Sequence, residues 1–358
     1  MTLRQHILAG IAGKELSQVE KDLILKHKVL GFTLFSRNFS NLEELADLNE
    51  QIQALAKQAG YDIVLAVDQE GGRVARLRAP FEPIAPMRDW TALCAEQGDW
   101  EKFFQFGTLL AQQVKALGFN LDFAPVADLD LAEENPIIGD RSFSKHGEVV
   151  FRMCRQLLRG FEQEQILGCL KHFPGHGNTL KDSHLELPED ERELSELLAN
   201  DLLPYQKLIS ENLAHSIMTA HVMYPQIDSK HCGTLSKTII HDVLRQQFSY
   251  TGLVFSDDLL MKAIFDHHNL SDAASRFFEC GGDVVLICDQ PELSLELLAF
   301  LEQEEKNNAA LAGFLKSAQK RIQDSFLSKI KTHKPLNNLN AFAEEFNERL
   351  FSLSKSQC

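Results

Sequence analysis

The chain has 358 residues, of which 44% are hydrophobic and 24% are charged, a composition that is typical of globular proteins and excludes a mainly disordered or fibrous one. Its 36 lysines and arginines are outnumbered by 51 aspartates and glutamates, and the formal net charge is −15. A surface of this sign repels phosphate backbones at long range, so we expect no nucleic-acid partner.

The segment that starts the chain, MTLRQHILAGIAGKELSQ, carries charges at Arg4, Lys14 and Glu15 and has no apolar stretch typical of a signal peptide. No apolar run approaches the roughly 18 residues that a membrane-spanning helix needs. The seven cysteines are odd in number, widely spaced and without a C-x-x-C pair, a usage that is typical of reduced thiols. We therefore expect a cytoplasmic protein that does not contact a membrane.

Short apolar runs alternate with longer amphipathic segments along the chain. The first run, HILAGI (6–11), precedes the amphipathic segment QVEKDLILKH (18–27). The second run, GFTLFS (31–36), precedes a predicted helix that begins after a capping Asn41 and ends before Gly60, because its leucines recur at helical spacing. Six further runs follow at residues 63–68, 121–126, 169–173, 216–221, 252–257 and 283–288.

The alternation indicates the fold class. Near-continuous apolar strands separated by helices are typical of a parallel sheet that is covered on both faces. Eight such units predict a (β/α)₈ TIM barrel in the α/β class, in preference to an open doubly wound sheet. We predict a single catalytic barrel over residues 1–330 and a helical extension over residues 331–358 that packs on it.

Titratable residues gather where the predicted strands end. Asp68 ends the third run, Lys171 and His172 lie in the fifth, and Asp257 and Asp258 end the seventh. In a barrel these ends share one face, where the loops build the active site, and we assign residues 70–100, 127–145 and 173–197 to such loops. Alternation along a strand sends adjacent aspartates to opposite sides, and strand parity alone does not decide which of the two faces the barrel mouth.

The segment KHFPGHGNTLKDSH (171–184) combines three histidines with turn-forming glycines and a proline. If its end is extended, Asp182 and His184 project the same way. The carboxylate could then orient the imidazole as a general acid and base. The alternative for this tripeptide alone is a solvated surface loop.

Two further segments pair carboxylates with arginines. AVDQEGGRVARL (66–77) sets Asp68 near Arg73 and Arg76, and GDRSFS (139–144) contains Arg141. A carboxylate and a guanidinium together can grip neighbouring hydroxyl groups of a polyol. A structural ion pair is the alternative interpretation of either segment.

A metal site is a further hypothesis, since His172, His176, Asp182, His184 and His221 could supply ligands. The chain lacks a helical H-E-x-x-H, and its first two runs lack a strand-end His-x-His. We therefore expect neither a catalytic metal nor a cofactor.

Seven segments together resemble one known family. They occur in the order LFSRN (34–38), VDQEGGRV (67–74), FAPVAD (123–128), GDRSF (139–143), KHFPGHG (171–177), DSH (182–184) and FSDDL (255–259). Over about residues 10–290, the chain resembles the bacterial β-N-acetylglucosaminidases of glycoside hydrolase family 3, especially the single-domain cytoplasmic enzymes of peptidoglycan recycling. The resemblance implies a TIM barrel that removes terminal non-reducing N-acetylglucosamine from anhydromuropeptides.

The resemblance also implies roles for individual residues. Asp257 would be the nucleophile of a retaining mechanism, forming a covalent glycosyl-enzyme. His184 would be the acid and base, with Asp182 as its partner carboxylate. The implied substrate-binding residues are Asp68, Arg76, Arg141, Lys171 and His172.

Three positions depart from the family pattern: Asn178 replaces an aspartate, CGTLS (232–236) replaces Pro-Ala-x-Leu-Ser, and Leu260 replaces a serine or threonine. None is an implied catalytic group, so they bear on loop structure and aglycone preference. Two other functions stay open at this point: a glycoside phosphorylase that uses the same Asp/His pair, and a catalytically silent sugar-binding relative. The expected partner is a small sugar substrate, and we expect the chain to be a monomer.

Overall fold

The computed structural model describes residues 5–132, 135–179 and 187–355, and each of the eight predicted apolar runs forms a strand within them. The strands pair in parallel with their neighbours in the chain, and the last pairs with the first, so the sheet closes into a barrel. The predicted (β/α)₈ barrel is confirmed. Its strands are β1 (Ile7–Gly10), β2 (Gly31–Leu34), β3 (Val64–Val67), β4 (Leu121–Asp122), β5 (Leu167–Phe173), β6 (Ser216–Thr219), β7 (Leu253–Asp258) and β8 (Val284–Ile287).

Helices surround the barrel. The predicted capping of the second helix is confirmed, because the Asn41 side chain accepts from the amide of Glu44 and Gly60 ends the helix in the left-handed conformation. The α-helices of the described residues are Gln18–Asp22, Leu42–Ala59, Met87–Gln97, Glu101–Ala116, Gly147–Glu164, Leu194–Ala199, Leu203–Ser210, Lys262–Phe265, Leu270–Glu279, Pro291–Asn307, Ala309–Arg321 and Leu339–Ser354. Shorter π- or 3₁₀-helical segments are Leu23–His27, Ser36–Asn38, Gly139–Arg141, Thr238–Gln247, Gly233–Leu235 and Ile322–Leu327.

Two buried apolar clusters stabilise the barrel. The outer cluster joins the strands to the helices, and the inner cluster fills the barrel interior. The inner cluster also takes in Ile322, Phe326 and Ile330 from the chain after the last barrel helices. The Phe326 ring packs edge-on against Phe255 of β7, with ring centroids 5.9 Å apart. The barrel interior is therefore a packed core. The space available for a site lies above it, at the carboxyl ends of the strands.

Strand alternation places polar side chains above this inner core. Leu253 and Phe255 of β7 belong to the inner cluster, whereas Val254 belongs to the outer one. The pairing of β7 with β8 shifts by one residue between Phe255 and Asp258, and both Asp257 and Asp258 line the pocket at this end of the strand. The same two-residue period runs through Val64 and Ala66 to residue 68, and through Leu167 and Cys169 to residue 171.

One predicted loop is wrong in part, because residues 70–100 include the helix Met87–Gln97. Its buried side chains Met87, Trp90 and Cys94 recur at helical spacing and pack into the outer cluster. Residues 173–197 likewise run into the helix Leu194–Ala199. Both segments combine loop backbone with a helix that anchors it.

The helix Leu339–Ser354 packs against the helix Glu101–Ala116, and Arg349 donates to Gln112 Oε1 at 2.7 Å. The rings of Phe81 and Phe346 also meet edge-on, with centroids 5.0 Å apart. The boundary between the barrel and the helical extension, placed at residue 330 from the sequence, stays a prediction.

Within the described ranges, the structure contains no helix of the length and apolarity required to cross a bilayer.

Candidate active site

A pocket of about 380 Å³ is lined by residues at the carboxyl ends of the strands, a volume in the range of small-molecule sites. Six of the residues proposed from the sequence line it together: Asp68, Arg76, Arg141, Lys171, His172 and Asp257. The other two, Asp182 and His184, lie outside the described residues.

The two adjacent aspartates of β7 have different environments. Asp257 Oδ1 accepts from the backbone amide of Asp258 at 2.8 Å. Asp258 Oδ1 accepts from the amides of Leu260 and Cys288, both at 3.1 Å. Both aspartates line the pocket, and Asp258 also ties the end of β7 to the end of β8.

Burial raises the pKa of Asp258 from 3.8 to about 6, although two backbone amides oppose the shift. The folded protein therefore binds this proton more tightly than the unfolded chain, and Asp258 favours folding at low pH. This contribution is lost as the pH rises through about 6. Relative to D258N, the unfolding free energy of the wild type should fall by up to about 3 kcal/mol between pH 4 and 7, which urea titrations at each pH would measure. Parallel pH profiles for the two proteins would contradict this assignment.

A buried network of alternating charges forms one wall of the pocket. Lys171 Nζ contacts Asp68 Oδ1 at 2.8 Å and Glu70 Oε1 at 2.6 Å. Arg141 donates two hydrogen bonds of 2.8 Å to Glu70, one to each carboxylate oxygen. Such a two-pronged contact fixes the plane of the guanidinium as well as its position. The network therefore holds Lys171 and Arg141 in place before a substrate arrives.

The ionisation of this network follows from its geometry. Burial by itself would raise the pKa of Glu70, but the charges of Arg141 and Lys171 hold that pKa well below its usual range. Burial opposes the charged form of Lys171, and Asp68 and Glu70 reverse this effect and raise its pKa. Glu70 and Lys171 are therefore both charged at neutral pH.

Glu70 is a residue that the sequence reasoning missed. Only 2% of it is exposed, and both of its oxygens bind the cations of the network. The sequence did contain a signal for Glu70: it lies two residues after Asp68, and this spacing places both side chains on one side of an extended segment. The pairing of Glu70 with Lys171 and Arg141 could be found only from their positions in space, because Arg141 lies 71 residues away in the chain.

The E70Q variant should lower the free energy of unfolding by about 3 kcal/mol, since it leaves Lys171 and Arg141 without their shared counter-ion. KM for an N-acetylglucosaminide should rise at least about tenfold with a smaller change in kcat, because Glu70 orients binding groups. Steady-state kinetics and urea titration measure both effects. E148Q is the matched control, because Glu148 is 61% exposed and, among the described residues, pairs with Lys207 alone at the surface. An unchanged KM in E70Q would contradict a role of Glu70 in substrate binding.

A second carboxylate missed as a site residue, Asp128, orients His172. His172 Nδ1 donates to Asp128 Oδ2 at 2.7 Å, which leaves Nε2 for a ligand. The amide of His176 donates to Asp128 Oδ1 at 2.7 Å. Although burial acts against the ionised carboxyl, the nearby His172 keeps the pKa of Asp128 below its usual value. Asp128 thus fixes both the ring of His172 and the turn that follows β5.

The two arginines of AVDQEGGRVARL, Arg73 and Arg76, have different partners and different positions relative to the pocket. Arg76 lines the pocket with its Nη2 at 3.5 Å from Asp68 Oδ2, and its buried Nε has no hydrogen-bond partner among the described residues. Arg73 donates to the carbonyl oxygens of Pro136, Ile137 and Ile138. Arg76 is therefore placed to bind a ligand, while Arg73 stabilises the loop that leads to Arg141.

The histidines of the metal hypothesis have other partners. His172 binds Asp128, His176 Nδ1 lies 2.7 Å from Thr179 Oγ1, and His221 Nε2 donates to the carbonyl of Asp258 at 3.0 Å. Burial lowers the pKa of His176 to about 4, so this ring is neutral at neutral pH. Over the described ranges, no three His, Cys, Asp or Glu side chains form a group that could hold a metal ion.

The pocket therefore combines an orienting network of charges with the two adjacent carboxylates of β7. Charged hydrogen-bond donors and acceptors in fixed positions suit the vicinal hydroxyl groups of a sugar. A carboxylate in such a pocket can act as a nucleophile toward an anomeric carbon.

Comparisons with known proteins agree with this chemistry. Residues 3–324 match the model of the glycosyl hydrolase family 3 N-terminal domain. A β-hexosaminidase of Neisseria meningitidis serogroup C is 40% identical over 297 residues, which are 82% of this chain and 81% of that protein. A β-hexosaminidase of Xanthomonas campestris pv. campestris is 39% identical over 311 residues, which are 86% of this chain and 92% of that protein.

A solved structure is similar over nearly the full length. NagZ from Neisseria gonorrhoeae, in complex with N-trifluoroacetyl-D-glucosamine, is 32% identical to this chain with a TM-score of 0.78. The match covers 99% of each chain.

Proposed function

The chain belongs to glycosyl hydrolase family 3, and we propose that it releases terminal non-reducing N-acetylglucosamine from peptidoglycan fragments through a covalent intermediate on Asp257. It is a glycoside hydrolase of the β-N-acetylhexosaminidase class. The specific substrate, the retaining mechanism and the role of each residue are parts of the proposal.

The observation that supports the proposal best is the common pocket of Asp257 and the charged network. Asp68, Lys171 and Arg141 are held by one another and by Glu70. N-acetylglucosamine is an uncharged polyol, and it can exchange hydrogen bonds with both the carboxylates and the cations of this wall. Asp257 lines the same pocket and can present its carboxylate to a sugar that the wall holds.

In the first step, a carboxylate oxygen of Asp257 bonds to the anomeric carbon while the glycosidic C–O bond breaks. Protonated His184 gives its proton to the departing oxygen, so the aglycone leaves as a neutral alcohol. The product is a glycosyl ester on Asp257 with the configuration at the anomeric carbon inverted once.

In the second step, neutral His184 takes a proton from water, whose oxygen bonds to the anomeric carbon. The ester bond to Asp257 breaks and its electrons return to the carboxylate. A second inversion gives net retention, and both residues regain their starting charge. An imidazole suits both roles at neutral pH, because its unperturbed pKa is about 6.5.

We also propose that the protein acts in the cytoplasm as a monomer on small fragments of peptidoglycan. The six cysteines of the described residues are buried and unpaired. Reduced thiols are typical of proteins in a reducing compartment.

The test is an assay of N-acetylglucosaminyl-anhydromuropeptide beside chitobiose and cellobiose, each with and without phosphate. We expect preferred cleavage of the muropeptide, release of free N-acetylglucosamine as its β-anomer, and no dependence on phosphate. NMR observation of the first-formed anomer distinguishes retention from inversion. Preferred cleavage of cellobiose would reject the substrate, a first-formed α-anomer would reject the mechanism, and formation of sugar phosphate would favour a phosphorylase.

A further inference from the structure

One basic side chain of the pocket forms no ion pair with the described residues. Arg141 pairs with Glu70, Lys171 with Asp68 and Glu70, and Arg76 lies near Asp68, as described above. Arg37 also lines the pocket. None of its nitrogens lies within 4.0 Å of a carboxylate oxygen of the described residues.

Arg37 is nevertheless held in place. Its Nη2 donates to the carbonyl oxygen of Cys288, at the end of β8, although Arg37 itself follows β2. Its guanidinium carbon lies 4.5 Å from the centre of the Phe35 ring, and that of Arg76 lies 5.6 Å from the same ring. A contact of a cation with an aromatic face is favourable and restricts the long side chain. Phe35 therefore joins Arg37 to the sugar-binding arginine.

We propose that Arg37 is an anion subsite of the active-site pocket that binds a carboxylate on the aglycone. This inference rests on the proposed function, because it assumes that N-acetylglucosamine occupies the network of Asp68, Lys171 and Arg141. That sugar has no charge, and it gives no reason for an additional cation without a counter-ion. A substrate that pairs with Arg37 therefore carries its negative charge on the aglycone, on the far side of the scissile bond from N-acetylglucosamine.

The guanidinium also has the right chemistry for this ligand. Its single described hydrogen bond to protein uses Nη2, and a planar guanidinium carries further donors that suit a carboxylate. The nearby Asp289 also lines the pocket, and its Oδ1 accepts from the amide of Gln290 at 2.9 Å. Its negative charge opposes that of Arg37, so D289N should bind an anionic aglycone more tightly.

The experiment compares two muropeptides that differ only in charge. The first is N-acetylglucosaminyl-anhydromuropeptide with free peptide carboxylates, and the second is the same compound with those carboxylates converted to neutral amides. We expect the wild type to prefer the acid by about tenfold in kcat/KM, which corresponds to about 1.4 kcal/mol. This ratio should fall to about one in R37Q, take an intermediate value in R37K because lysine keeps the charge without the planar fork, and rise in D289N.

The matched control is R152Q. Arg152 lies on the outer helix Gly147–Glu164 and also stacks on an aromatic ring, 4.6 Å from the centre of Trp100. Its replacement removes the same charge and a similar contact away from the pocket, and the acid-to-amide ratio should stay at the wild-type value.

The outcomes separate the two proposals. Equal cleavage of the acid and the amide by the wild type, or an unchanged ratio in R37Q, would overturn the anion subsite and leave the proposed function intact. Turnover of an aryl N-acetylglucosaminide without cleavage of either muropeptide would overturn the proposed substrate and the subsite together. A fall of the ratio in R152Q equal to that in R37Q would show a general effect of net charge and reject the subsite.

Discussion

The D257A variant is expected to lose turnover of N-acetylglucosaminides by at least about 10⁴-fold, because removal of a nucleophile abolishes the covalent route. Asp257 lines the pocket at the end of β7, so alanine removes its carboxylate from the pocket wall. Substrate binding should persist, since the network of Glu70, Lys171 and Arg141 is unchanged. Steady-state kinetics and calorimetric titration with N-acetylglucosamine measure these two effects separately.

The neighbouring D258N variant is the control for D257A. Asp258 Oδ1 accepts two backbone amides, and the amide oxygen of asparagine can accept the same bonds. We expect D258N to reduce activity far less than D257A does. Azide adds a direct chemical test: with an activated aryl glycoside, azide can attack the anomeric carbon from the side vacated in D257A and yield the α-glycosyl azide. A loss in D258N that equals or exceeds the loss in D257A would move the nucleophile to Asp258.

The second large effect is expected for H184A, and it should depend on the leaving group. For a disaccharide, whose departing alcohol needs a proton, kcat/KM should fall by about 10²–10⁴-fold, the usual range for a general acid. For an aryl glycoside with an acidic phenol, kcat/KM should change much less, because it reports only the steps up to departure of the phenol. Its kcat should still fall, since water then attacks the glycosyl-enzyme without a general base.

The D182N variant completes this test. If Asp182 stabilises the imidazolium of His184, D182N should show the same dependence on leaving group with a smaller magnitude. The pH profile supplies an independent measurement: the fall of kcat/KM at alkaline pH, caused by loss of the acid proton, should disappear in H184A. Equal losses for disaccharide and aryl substrates in kcat/KM would reject His184 as the proton donor.

The sequence predicted the barrel because its signals are local. Each apolar run and each amphipathic segment follows a period of two or 3.6 residues within one short stretch of chain. Asn41 and Gly60 bound a helix through hydrogen bonds and backbone angles of immediate neighbours. The helix Met87–Gln97 carries an equally local signal in its buried Met87, Trp90 and Cys94, and it was missed because that segment was assigned to a site-building loop.

The enzyme family could also be predicted from the sequence, whereas the positions of the site residues relative to one another could not. The order of the motifs around Asp68, Arg141, Lys171 and Asp257 was sufficient to predict the family, and the family comparison confirms it. The positions of Asp257 and Asp258 required the structure, because a one-residue shift in the pairing of β7 with β8 interrupts the alternation expected along the strand, and both side chains line the pocket.

The amino-acid order by itself determined the eight strands, the enzyme family and the residue types available at the strand ends. Only the tertiary structure decided that Glu70 sits buried between two cations and that Arg37 forms no ion pair within 4.0 Å in the described chain. The physical reason is the range of the interactions: helix and strand periods are set between near neighbours, whereas the partners of Lys171 lie about a hundred residues away, with Asp68 at a separation of 103. Charge pairing across that separation exists only once the barrel has closed.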